Sequence, residues 1–229
     1  RQRQMCIRDR LYILVKLGRK LAKSDALSIF TKFHNPPIGI KILFYLLSLS
    51  FSKKDNSFVN ETEGERLSNS LQSMGTTFIK LGQFLATRPD IIGEKLSKQL
   101  ESLQDRLPPF ELSKAKEIIK KDLGEDNFNS IINLSEPVAA ASIAQVHKAQ
   151  INDNGTIKDV AIKILRPNIK KIFNEEIDAL MLFAFLTESI IKKTKRLKLV
   201  EVVYLLKEIT NLEMDLRFEA AAANEYSEN

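Results

Sequence analysis

Val160-Ala161-Ile162-Lys163 sets a lysine inside an apolar run that ends at Pro167. A lysine whose stem is packed in a strand can place its ammonium on phosphates while apolar neighbours hold it still. These four residues spell the lysine strand of phosphotransfer enzymes. A solvated strand lysine would account for four letters equally well, so the surroundings decide. Upstream lies Ala139-Ala140-Ala141-Ser142, small residues that would be glycines in an ordinary phosphate-covering loop. Glycine takes positive φ and folds its backbone over phosphates; alanine resists that conformation. Downstream, a helical pattern carries Glu213, Asp215 and Glu219. Asp215 and Glu219 are spaced i, i+4 and on one helix would share a face, and such a helix could supply a carboxylate to pair with the lysine.

Other chemistries fit less well. Cys6 is the one cysteine, which excludes an intrachain disulfide and any cysteine-built metal site. His34 and His147 are far apart in sequence and read as structural histidines. No metal-ligand cluster and no flavin-binding fingerprint is present, so no protein-held metal is assigned. The net charge of +6 and pI near 9.3 would suit nucleic acid or an anionic membrane surface. Tryptophan is absent and aromatics are not interleaved with arginine, which argues against nucleic acid. With 229 residues, 44% hydrophobic and 28% charged, the chain can bury the core of one large or two small domains.

The elements that must position these residues follow from periodicity. Leu11 to Phe33 has helical spacing (Leu14, Leu17, Leu21), and Pro36-Pro37 breaks it. Ile38 to Phe51 is apolar but shorter than the roughly 20 residues that span a bilayer. It reads as a buried helix or as a membrane-surface helix flanked by Lys41, Lys53 and Lys54. A polar linker over Ser52–Gly64 precedes helices from about Glu65 to Met74 and Thr77 to Ala86, closed by Pro89. A further helix covers Ile92 to Asp105, and another starts with Ser113 as N-cap and stops at Gly124. Strands are predicted over Ile131–Val138, Ile143–Ile151 and Val160–Leu165, with Asn152-Asp153-Asn154-Gly155 as a hairpin turn. Two long helices follow, Lys170 to Lys193 and Leu197 to about Tyr226. Helices, three antiparallel strands, then helices make an α+β fold.

Several segments together resemble the UbiB family of atypical kinase-like proteins, which support ubiquinone biosynthesis and have often been labelled 2-polyprenylphenol 6-hydroxylase. Lys80-Leu81-Gly82-Gln83, continuing through Arg88-Pro89-Asp90 and Leu103-Gln104-Asp105-Arg106-Leu107-Pro108-Pro109, is similar to the family's K-x-G-Q region. Pro137 to His147 resembles its alanine-rich loop and second strand, and Glu213 to Ala221 its E-x-D motif and αC-type helix. The resemblance runs from about Leu17 to Asn229.

It implies a kinase-like N-lobe, a small antiparallel sheet with an αC-type helix, preceded by a helical K-x-G-Q extension. Lys163 would hold the α- and β-phosphates of ATP or ADP with Mg, and Glu219 would be its ion-pair partner. Ala139, Ala140, Ala141, Ser142, Val146 and Ala161 would line the nucleotide. Lys80 and Gln83 would belong to an extension folded over the active site, with Glu213 and Asp215 as the acids that meet it; a desolvated Lys80 needs nearby carboxylates. Arg88, Asp90, Asp105 and Arg106 would pair structurally within the extension.

The expected organisation is an N-terminal helical region over 1–60, the extension over 61–128 and the N-lobe over 129–229. The chain reads as an N-terminal fragment without the C-lobe, whose catalytic aspartate and metal-binding acid phosphoryl transfer requires. Such a fragment is expected not to hydrolyse ATP. The complete protein would be an atypical kinase or ATPase at the cytoplasmic face of the bacterial inner membrane. Its partners would be adenine nucleotide, membrane lipid or polyprenyl quinone intermediates, and other quinone-biosynthesis proteins. The alternatives are a membrane-associated scaffold that senses nucleotide or lipid, and a conventional protein kinase, which the alanine loop and the Lys80–Gln83 segment disfavour.

Overall fold

A computed structural model of the chain describes residues 7–23, 62–101, 103, 107–153, 155–190 and 192–228. Cys6, His34, residues 24–33 of the helix expected from Leu11 to Phe33, the helix expected over Ile38–Phe51, most of the linker expected over Ser52–Gly64, Asp105 and Arg106 lie outside the described residues. The chain forms two compact units, each built from two stretches of sequence: residues 1–104 with 172–210, and residues 105–171 with 211–229.

The first unit is helical. Its elements are α1 (Ile7–Lys23), α2 (Glu63–Met74), α3 (Thr76–Ala86), the single turn α4 (Pro89–Ile92), α5 (Glu94–Leu100), most of α8 (Ile169–Ile190), a 3-10 helix (Lys192–Leu197) and most of α9 (Leu199–Glu213). Thr62 starts α2 with a capping box. Glu65 N–H donates to Thr62 Oγ1 at 3.3 Å, and Thr62 N–H donates to Glu65 Oε2 at 2.7 Å. The cap draws the helix start back to Glu63, so Gly64 is helical and not part of a linker. Gly75 at φ 109° separates α2 from α3, a backbone angle that favours glycine.

Pro89 opens α4 instead of closing α3, because proline's missing N–H costs nothing at the first helical position. The helix expected over Ile92–Asp105 starts only after Gly93, at Glu94. Leu67, Leu71, Phe78, Ile79, Leu96 and Leu100 are buried and form the core of α2, α3 and α5. Among the described residues no helix is long and apolar enough to cross a membrane.

The second unit places α6 (Leu112–Leu123) and α7 (Glu125–Asn129) before three strands, β1 (Ile131–Ala140), β2 (Ala144–Asp153) and β3 (Thr156–Leu165), and ends in α10 (Leu216–Glu228). The sheet is antiparallel in the order β1-β2-β3. Each strand is longer than expected, except that β2 begins one residue later because Ala141 N–H closes a turn on Ala144 O at 2.8 Å. Gly155 at φ 89° makes the β2–β3 turn, and its N–H donates to Asn152 Oδ1 at 2.8 Å. Ala115 and Ile119 of α6 pack on Ile164 and Ile162 of β3, so α6 covers one face of the sheet.

Two expected helix boundaries are corrected. Ser113 is the second residue of α6; its N-cap is Glu111, which accepts 3.3 Å from Ser113 Oγ. The helix expected from Leu197 to Tyr226 is two helices, α9 and α10, separated at Met214-Asp215. Asp215 supplies the break, since its Oδ1 accepts the Arg217 backbone N–H at 3.3 Å as a helix cap does. Gly124, at φ 83°, stops α6 as expected.

Candidate functional site

Strand alternation sorts the side chains of β3. Ile162 and Ile164 face α6, so Ala161 and Lys163 face the other way. Directly opposite Lys163 on β2 is Val146, whose own cross-strand neighbour on β1 is Ala139. The Lys163 face is open: Ala139 and Ala161 are exposed and Val146 is half-buried.

Lys163 is met by α10. Its Nζ donates to Glu219 Oε1 at 2.8 Å and Oε2 at 2.6 Å, a two-pronged ion pair between residues 56 apart in sequence. Side-chain exposures of 33% and 58% put the pair in the range where an ion pair stabilises a fold by about 0–1 kcal/mol. Its larger effect is geometric: the ammonium is held in one place above the sheet.

Asp215 departs from the expected arrangement. It precedes α10 and does not share a helix face with Glu219. Its carboxylate takes the Arg217 guanidinium at both oxygens, Nε to Oδ1 at 2.8 Å and Nη2 to Oδ2 at 2.5 Å. The Arg217 hydrogen bonds are the largest influence and lower the Asp215 pKa from the ordinary 3.8 to about 2. A depressed carboxylate stabilises the fold above pH 3.8, and that contribution is lost as pH falls towards 2. Followed by carbon-detected NMR, the Asp215 carboxyl is expected to titrate near pH 2, below Asp residues of ordinary pKa. A midpoint at the usual aspartate value would show that the Arg217 contact does not persist in solution.

Glu213 is the last residue of α9 and is exposed. Lys80 and Gln83 lie on α3 of the first unit, three residues apart on one side of the helix, both half-buried. Between them, Gly82 is buried: a Cβ there would sit 2.5 Å from Leu103 Cδ2 and 2.8 Å from Leu71 Cδ1. The glycine of this motif thus lets α3 lie close to its neighbours. Gly82→Val is expected to destabilise the chain by about 1–3 kcal/mol, read from a denaturant midpoint, and an unchanged midpoint would contradict this packing. Ser142 is buried at the end of the alanine loop.

The sequence reading missed a polar lock on the α6 side of the sheet. Gln145 Oε1 accepts Phe110 N–H at 2.9 Å, and Gln145 Nε2 donates to Phe110 O at 3.1 Å. The same amide nitrogen lies 2.9 Å from His147 Nε2, and His147 Nδ1 lies 2.8 Å from Ser135 O. A carbonyl can only accept, so His147 carries its proton on Nδ1 and accepts at Nε2. Both side chains are fully buried, and His147 is structural, as its sequence context indicated. Ser135 sits where the β1–β2 register slips, and its Oγ accepts Lys148 N–H at 3.0 Å. Glutamine and histidine at two inward-facing strand positions were the available signal.

A family model described as the ABC1 atypical kinase-like domain matches residues 102–229. The chain belongs to this family. That span holds Lys163, Glu219, the alanine loop and the Glu213–Asp215 pair. Curated relatives of this ABC1-family chain include three named "Probable protein kinase UbiB". The one from Marinobacter nauticus is 35% identical over 89% of this chain and 36% of its own length. That from Azotobacter vinelandii is 36% identical over 84% of this chain and 35% of its own, and that from Vibrio cholerae O1 is 33% identical over 96% and 39%. The chain therefore spans well under half the length of these relatives. The UbiB resemblance, first drawn from the motifs, is supported across most of the chain, and the three-stranded antiparallel sheet agrees with a kinase-like N-lobe. No solved structure matches the chain. Among the described residues no group of three or more His, Cys, Asp or Glu is placed to hold a metal.

Proposed function

We propose that this chain carries the nucleotide-gripping half of an ATP-binding atypical kinase or ATPase that supports ubiquinone biosynthesis. The observation that carries the reading is the Lys163–Glu219 pair on the open face of the sheet. A strand lysine paired with a helix glutamate is the arrangement that places an ammonium on nucleotide phosphates in kinase-like sites. The residues present fit ATP or ADP: Lys163 would take the phosphates, Glu219 would hold Lys163 in place, and Ala139, Val146 and Ala161 would bound the ring. Magnesium, arriving with the phosphates, would neutralise their charge.

The UbiB name of the relatives supports the quinone assignment. Partners would be membrane lipid or polyprenyl quinone intermediates and other quinone-biosynthesis proteins, at the cytoplasmic face of the bacterial inner membrane. The chain by itself is proposed to bind nucleotide without turning it over, because phosphoryl transfer also requires a metal-holding acid and a group that orients the nucleophile. The decisive experiment in cells is Lys163→Ala in the complete protein, with quinone output measured by chromatography. Loss of output supports nucleotide-dependent action, and unchanged output would favour a scaffold role.

A further inference from the structure

We infer that Arg166 is a positioning residue that sets the backbone of the alanine loop. One guanidinium reaches three backbone carbonyls. Its Nε and Nη2 both donate to Ala141 O, at 2.9 and 2.8 Å. Nη1 donates to Pro108 O at 3.0 Å and Nη2 to Leu107 O at 3.2 Å. The backbone of the same residue adds a fourth tie, Arg166 N–H to Ile143 O at 2.9 Å.

A guanidinium is planar, with its donors in a fixed fork, so its bonds constrain direction as well as distance. Pro109 disfavours the helical region for Pro108, and both prolines have a fixed φ, so the carbonyls on the far side of the fork belong to a stiff stretch. Arg166 thereby transfers that stiffness to the loop. In a trans peptide the carbonyl and the following N–H point opposite ways. Holding Ala141 O on Arg166 therefore points the Ser142 N–H in the opposite direction, away from the guanidinium. Alanine already narrows the loop's conformations, and the clamp selects one of them.

The consequence for ligand binding rests on the nucleotide reading above: a loop fixed in one conformation pays no ordering cost when a nucleotide arrives. Arg166 stands directly after the lysine strand, so the residue that sets the loop and the lysine proposed to grip phosphates share one segment.

The test uses the 229-residue chain, with Arg166→Ala and Arg166→Lys variants. Hydrogen–deuterium exchange is expected to speed up at residues 141–143, between β1 and β2, in Arg166→Ala while the strands stay protected. Mg-ATP affinity is expected to fall about tenfold, the scale of losing charge-assisted hydrogen bonds. Added guanidinium ion is expected to restore both readouts together, which ties them to the vacated fork; a merely structural role would loosen the strands along with the loop. Unchanged exchange in the loop would overturn the proposal, and so would equal opening of all three strands. If the parent chain binds no nucleotide, the functional reading fails, and the exchange comparison alone decides the role of Arg166. If Arg166→Ala does not fold, Arg166→Lys keeps the charge without the fork and carries the same comparison.

Discussion

Gln145→Leu is expected to destabilise the chain by on the order of 4 kcal/mol, although leucine is apolar, of similar size and enters a buried site. Gln145 bonds both backbone groups of Phe110 and the ring of His147. Leucine would leave an N–H, a carbonyl and a ring nitrogen without these partners. Each buried polar atom stranded in this way costs about 1–3 kcal/mol, while the gain from burying one leucine in place of an amide is smaller than their sum. Total stabilities of about 5–15 kcal/mol make this a large fraction. Thermal melts followed by circular dichroism would show it, since roughly 4–8 °C of Tm is lost per kcal/mol in a small domain. A Tm within about 2 °C of the parent would mean that the lock contributes little.

The second large effect is on ligand binding. Lys163→Met is expected to weaken Mg-ATP binding by about ten- to a hundredfold, the scale of losing a charge-assisted hydrogen bond to phosphate. Its effect on stability should stay within about 1 kcal/mol, because the pair with Glu219 is partly exposed. The reversed pair, Lys163→Glu with Glu219→Lys, separates two explanations. It can restore the ion pair but would set a carboxylate where the phosphates belong, so folding should recover and nucleotide binding should not. Equilibrium dialysis with labelled ATP gives the answer. Recovery of binding in the double variant would show that the pair acts only as a structural strut.

How much of this was legible before the structure depended on where the partners lie in sequence. Lys163 announced itself because its strand neighbours are consecutive, and the hairpin because Asn-Gly turns are local. The Gln145 lock was hidden because Phe110, its partner, is 35 residues away, and nothing in either segment names the other. The break at Asp215 was masked by buried Met214, which extends the apolar periodicity of α9 past its end. There a capping aspartate outweighed the periodic pattern. Pro89 was misread for a different reason: proline ends one helix and begins another equally well, and only the short turn after it tells which. Arg166 carried no signal at all, since backbone carbonyls are present at every residue.

Among the described residues, the strand order β1-β2-β3 leaves the sheet with two rims of unequal character. The β1 rim is broken by register slips and by Pro137, which offers no N–H. The β3 rim has ten residues in unbroken register with β2, and Thr156–Asp159 and Ala161 are exposed. Half of its backbone groups point away from β2, in the geometry that templates another strand. Lys158 and Asp159 keep part of that rim charged, which slows sticking between copies. In any preparation of this chain, concentration-dependent association should therefore begin at β3, beside the very lysine on which its chemistry is proposed to depend.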